Sequence, residues 1–292
     1  MATVVELPLE LYKGPVDPDW CPGCGDFGVL RALQRAVAKL GIRPKDLLVV
    51  SGIGCSSNLP GYLHAYGFHG LHGRALAQAT GMKLGNHELH VVITGGDGDG
   101  YGIGIQHFIH AMRRNLDLTY LVMDNQIYGL TTGQASPTTE RGDWTKSTPR
   151  GCPEDPLNPL ALALVCGATY VARGFSGEQE HLTSLIAQGI QHRGFALIDV
   201  FSPCVTYNKH NTYPWFKQRV YALEETDYEP TDLVQALRKA QEWGERIPIG
   251  LFYRTSRPTY EDGEPALKHG PLVRQRLGLT PEEGEALLQE FM

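Results

Sequence analysis

The stretch Leu89-His90-Val91-Val92-Ile93-Thr94-Gly95-Gly96-Asp97-Gly98-Asp99-Gly100 decides how this chain folds. The apolar run 89–94 reads as a strand, and it ends in a glycine-rich turn ahead of a helical run at 103–114. Such a turn exposes backbone N–H groups at a helix N-terminus, a ready site for an anion. Working outward, β-rich runs at 47–51, 118–123, 169–172 and 196–201 alternate with helical runs at 26–40, 74–84, 160–166 and 178–191. In the first of these helices Phe27, Leu30, Leu33 and Val37 fall on one face. The alternation predicts an α/β fold, a parallel twisted sheet flanked by helices.

Two regions break the pattern. Residues 130–159 are rich in Thr, Gly and Pro, which reads as a long functional loop or a partner-contacting excursion. After Tyr213 the sheet pattern stops. A helix is expected over 231–243, then an extended tail punctuated by Pro258, Pro265, Pro271 and Pro281. The expected division is a site-bearing domain over 1–225 and a C-terminal tail over 226–292, available to a partner.

Composition narrows the class. The chain has 292 residues, 42% of them hydrophobic and 20% charged, which suits a folded globular protein. Its 26 Lys plus Arg against 32 Asp plus Glu leave a net charge of -6, without the basic face that nucleic acid demands. The N-terminus lacks a basic segment followed by an apolar one, and no apolar run approaches a membrane span. A cytoplasmic protein is therefore expected, whose six cysteines are reduced thiols or metal ligands before they are disulfides.

The glycines around Asp97 satisfy no register of the dinucleotide fingerprint. The strict match at Gly23-Cys24-Gly25-Asp26-Phe27-Gly28 follows a Pro-rich loop and not a strand. Asp97 and Asp99 repel a phosphate unless a cation lies between, and Mg²⁺ is the usual one, taking about six oxygens. Asn125, just past the run 118–123, offers a second oxygen ligand. Alone, each motif reads as an ordinary turn. Together they lie at the carboxyl ends of parallel strands, where open α/β sheets bind ligands.

Cys21-Pro22-Gly23-Cys24 lets two thiolates converge on zinc, a redox centre or a cluster. Cys55 and Cys204 follow the runs 47–51 and 196–201, so both face the same side as Asp97 and Asn125. Cys166 reads as a core thiol and Cys152 as a bystander.

Gly96-Asp97-Gly98, a spacer (residues 99–123) and Asp124-Asn125 resemble the thiamine-diphosphate signature, with Asp124 where Asn is usual. Several motifs add to this: Trp20-Cys21-Pro22-Gly23-Cys24-Gly25, Gly52-Ile53-Gly54-Cys55-Ser56-Ser57, His72-Gly73-Arg74-Ala75, Tyr128-Gly129-Leu130-Thr131-Thr132-Gly133-Gln134 and Ser202-Pro203-Cys204. Together they resemble the beta subunit of 2-oxoacid:ferredoxin oxidoreductases.

The resemblance implies Mg²⁺ held by Asp97, Asn125 and the main-chain carbonyl of Ile127. It implies thiamine diphosphate against Ile53, Gly54, Cys55, Ser56, His72, Gly98, Asp99, Gly129, Leu130 and Thr131, with His72 as a candidate catalytic group. Cys21, Cys24, Cys55 and Cys204 would hold one 4Fe–4S cluster. The implied reaction is oxidative decarboxylation of 2-oxoglutarate to succinyl-CoA and CO₂, with electrons passed to ferredoxin. Pyruvate or another 2-oxoacid is the alternative substrate, and a zinc-stabilised non-catalytic subunit the rival class. Some relatives carry Lys where Thr132 stands, and a cation there would pair with a distal carboxylate. The glutamate that contacts the aminopyrimidine belongs to another subunit, so an alpha partner is implied, in a dimer of alpha–beta heterodimers. No nucleic acid or membrane is implied.

Overall fold

The computed structural model describes residues 5–276 and 278–292. Eight strands form one sheet: β1 (Leu47–Ser51), β2 (Tyr66–His69), β3 (His90–Gly96), β4 (Thr119–Asp124), β5 (Tyr170–Phe175), β6 (Ala196–Phe201), β7 (Val220–Ala222) and β8 (Ile247–Arg254). Their order is β2-β1-β3-β4-β6-β5-β8-β7, parallel throughout except where β8 pairs antiparallel with β5.

Central strands are buried on both faces, as crossover helices require. Alternate residues feed opposite cores. Val49, Val92, Leu121 and Ile198 pack under the helices Asp26–Lys39 and Gln179–Gln191. Val50, Ile93, Val122 and Leu197 pack under Ala75–Gly85, Ile105–Arg114, Pro159–Val165 and Leu233–Ala240. The expected face of the first helix holds for Leu30, Leu33 and Val37, whereas Phe27 is half-exposed, edge-on to Trp20.

The five expected strands are present, within one to three residues at their ends. Strand β2, exposed along its whole length, has no apolar pattern to announce it. The C-terminal region departs from expectation, because the sheet does not stop after Tyr213. Strand β8 returns to it, and residues 281–290 are helical, so the tail is not simply extended. Pro248 and Gly250 disguise the strand. Pro248 lies in the stretch registered with β7, and Gly250 (φ +122°) sits at the irregular pairing with β5. A side chain at 250 would overlap the Glu224 carboxylate, which accepts the Leu251 N–H at 2.9 Å. Among the described residues no helix is long and apolar enough to cross a membrane.

Candidate functional site

Strands β1, β3, β4 and β6 are neighbours, and the segments just beyond their carboxyl ends carry Cys55, Asp97, Asn125 and Cys204. A cavity of about 180 Å³ opens there. It is lined by every residue expected at the cofactor and Mg²⁺ sites: Ile53 to Ser56, His72, Asp97 to Asp99, Asn125, Ile127 and Gly129 to Thr131.

The turn after β3 is wide, of π type, with the Gly104 N–H donating to the Asp99 carbonyl at 3.0 Å. It buries both aspartates and gives them different work. Asp99 Oδ1 accepts from the Ile53 N–H at 2.9 Å, the Gly73 N–H at 2.7 Å and His72 Nδ1 at 2.8 Å. Although it lines the cavity, one oxygen of this carboxylate is committed to the loops after β1 and β2. The bond assigns the His72 proton to Nδ1 and leaves Nε2 as an acceptor.

Asp97 belongs to a second network. Thr138, from the long irregular loop, places its Oγ1 2.7 Å from Asp97 Oδ2 and 2.8 Å from Asp124 Oδ1. One hydroxyl has one proton, so it cannot donate to both. Burial pushes the Asp97 carboxyl up to about 6 and Asp124 well above the usual carboxylate range. Two such groups astride one hydroxyl fit a divalent cation at Asp97. Asn125 Oδ1 accepts the Ile127 N–H at 3.0 Å and keeps a second lone pair for a metal. The Ser56 hydroxyl, buried in the cavity wall, has no protein partner, as befits a group awaiting a polar ligand.

The thiols gather beside this cavity. A Cβ at Gly129 would lie 3.6 Å from Cys204 Sγ and 3.7 Å from Cys55 Sγ, so both sulfurs lie close to Gly129, which lines the cavity together with Cys55. The Gly25 N–H donates to the Pro203 carbonyl at 3.1 Å, joining the Cys21–Cys24 turn to the Cys204 loop. Trp20 Nε1 donates to the Cys55 carbonyl at 2.7 Å. Burial, then Asp26 and the neighbouring thiols, push the Cys55 thiol up to about 12, and Cys24 is also raised. Such thiols ionise when a metal takes the proton's place.

Comparison with known proteins agrees with this geometry. The family profile "Thiamine pyrophosphate enzyme, C-terminal TPP binding domain" matches residues 52–200. A second profile, for the C-terminal part of the pyruvate ferredoxin oxidoreductase beta subunit, matches residues 204–269. The 2-oxoacid:ferredoxin oxidoreductase subunit beta of a Sulfolobus species is 49% identical over 257 residues, covering 84% of each chain. The 2-oxoglutarate synthase subunit KorB of Methanocaldococcus jannaschii is 39% identical over 253 residues, 82% of this chain and 89% of that one. A solved 2-oxoglutarate:ferredoxin oxidoreductase from Magnetococcus marinus superposes with a TM-score of 0.90 at 41% identity, covering 98% of this chain and 97% of that one. That structure has 2-oxoglutarate, coenzyme A and succinyl-CoA bound.

The chain belongs to the 2-oxoacid:ferredoxin oxidoreductase beta-subunit family.

It is thus an oxidoreductase subunit that works with an alpha subunit, and its thiamine-diphosphate domain is the one bearing the cavity. Three residues of this beta subunit were not singled out from sequence. Thr138 pins the long loop to the Asp97 turn, helped by Thr139 Oγ1 donating to the Gln126 carbonyl at 2.7 Å. Asp26 is buried in the cavity wall. Lys146 Nζ donates to Thr132 Oγ1 at 2.8 Å, at a threonine held at φ +76°. Asp26 lay in the glycine motif at 23–28 and Thr138 and Lys146 in the loop read as functional, but nothing in the sequence marked any of them individually. Cys166 and Cys152 take no part in the cavity.

Proposed function

We propose that this beta subunit, with its alpha partner, oxidatively decarboxylates 2-oxoglutarate to succinyl-CoA and CO₂ and delivers the electrons to ferredoxin. The observation that carries the reading is the juxtaposition, at Gly129, of the cavity and the thiols of Cys55 and Cys204. Asp97, Asn125 Oδ1 and the Ile127 carbonyl would hold Mg²⁺, while Gly98, Asp99, Gly129, Leu130 and Thr131 would line the diphosphate. Cys21, Cys24, Cys55 and Cys204 would hold a 4Fe–4S cluster. When bound, thiamine diphosphate supplies the carbon nucleophile that decarboxylation requires, and the cluster a one-electron acceptor.

The chain's own residues do the rest. Asp99 holds the loops at Ile53 and Gly73 in place and orients the His72 ring, whose Nε2 is free to take a proton. Leu130 and Ile53 give the cavity apolar walls. Zinc cannot change oxidation state, whereas an iron–sulfur cluster accepts single electrons, which the proposed reaction requires.

Lys146 supports the choice of 2-oxoglutarate. It brings to Thr132 the cation that a distal carboxylate would pair with, from this chain itself. The test is the co-expressed alpha–beta complex, assayed with coenzyme A and a viologen on 2-oxoglutarate and pyruvate. A brown complex fastest on 2-oxoglutarate is expected. A colourless, inactive one would overturn the reading, and a strong pyruvate preference would overturn the substrate. A dimer of such heterodimers is the proposed assembly, in a reducing cytoplasm.

A further inference from the structure

Thr138, whose hydroxyl meets Asp97, also lines a second cavity of about 230 Å³ that shares no lining residue with the first. Two buried polar side chains in its wall have bonding capacity left over. Arg173 is 3% exposed; its Nε donates to Asp199 Oδ2 at 3.2 Å, while Nη1 has no partner. The Tyr101 hydroxyl donates to Asp199 Oδ1 at 2.8 Å, so both oxygens of that carboxylate are engaged. Gln126 is 4% exposed, and its Nε2 donates to the Thr138 carbonyl at 3.1 Å. That bond leaves Gln126 Oε1 as the unpartnered end. The wall thus holds a spare donor and a spare acceptor, and buried groups of this kind are costly until something completes them. Aromatic rings accompany them. Phe201 and Trp243 line the cavity, their ring centroids 4.9 and 5.9 Å from the Arg173 guanidinium carbon.

We infer that this second cavity is a binding site for a small neutral amide or lactam carried on a planar ring. An anion suits it poorly, because Asp199 already balances Arg173 and Asp124 stands in the same wall. A neutral amide answers both spare groups, its C=O accepting from Arg173 and its N–H donating to Gln126 Oε1. A planar ring packs against Phe201 and Trp243. The inference is independent of the cofactor reading, since none of these residues lines the first cavity.

The test titrates the assembled alpha–beta complex by calorimetry with benzamide, 2-pyridone and benzoate. The first two are a neutral amide and a neutral lactam, and benzoate has the shape of benzamide with a negative charge. At least one neutral compound is expected to bind at one site per beta subunit, at least about tenfold more tightly than benzoate. Arg173→Lys keeps a positive charge for Asp199 but lacks the outer guanidinium N–H groups. It is expected to weaken that binding at least about tenfold. Trp243→Ala, at a more exposed position, removes one aromatic wall and is expected to weaken binding about fivefold. It carries the comparison alone if Arg173→Lys does not assemble. Three results overturn the inference: no saturation by either neutral compound up to about 10 mM, benzoate bound as tightly, or unchanged affinity in a variant that assembles.

Discussion

Lys146 reaches across the long loop to donate from Nζ to the Thr132 hydroxyl at 2.8 Å, beside a backbone already held in the left-handed region. The contact is set by the main chain as well, because the Lys146 N–H donates to the Gly133 carbonyl at 2.8 Å. Lys146 is exposed, so the charge is worth less than a buried one. Lys146→Met is expected to raise KM for 2-oxoglutarate about tenfold, at the lower end for a charge-assisted hydrogen bond, with pyruvate kinetics within about twofold. Steady-state assays on both substrates check this. Equal losses on the two would show that Lys146 merely shapes the loop.

Asp99 holds two loops and a histidine with one oxygen, and it is 2% exposed. Asp99→Ala would leave buried N–H groups without an acceptor, at a cost on the order of 2–4 kcal/mol. The thermal midpoint of the complex is expected to fall, and thiamine diphosphate affinity with it. Asp99→Asn retains an acceptor and should lose less than half as much. An unchanged midpoint in Asp99→Ala would remove the bracing role.

The proposed cluster takes Cys21, Cys24, Cys55 and Cys204 and leaves Cys152 and Cys166 aside. Cys55→Ser and Cys204→Ser are expected to lose iron, sulfide and broad visible absorption. Cys152→Ser and Cys166→Ser should keep all three. Iron retained at wild-type level after loss of Cys55 would sink the assignment.

His192 makes the chain sensitive to acid. Burial lowers its pKa below 6.5, and Nε2 donates to Thr169 Oγ1 at 2.8 Å, since the Thr169 proton goes to Asn115 Oδ1 at 2.7 Å. A depressed folded pKa means that the unfolded chain takes up the proton first. Stability present above pH 6.5 is therefore lost as pH falls below it, at under about 1.4 kcal/mol per pH unit for one group. His192→Gln should flatten the dependence of the thermal midpoint between pH 6.5 and about 5. A slope as steep as that of the parent protein would place the acid sensitivity elsewhere.

What could be read from sequence followed from burial. Strands β1 and β6 are buried on both faces and largely apolar, so their ends, and hence Cys55 and Cys204, could be located from the chain alone. Asp97 and Asn125 stood out for the same reason. Strand β8 was hidden by Pro248 and Gly250, whose tolerance depends on β7 and Glu224. Thr138 and Lys146 lie in a loop without periodicity and acquire meaning only through Asp97 and Thr132. Asp26 was visible as a residue, but its burial depends on Ser202, 176 positions away.

Strand β8 has one more consequence. It covers the outer side of β5, the strand that carries the buried Arg173 paired with Asp199. Without it, a long parallel strand would present a row of unpaired N–H and C=O groups to solvent, a template on which another chain can add. Strand β8 therefore closes an edge on which another chain could otherwise pair.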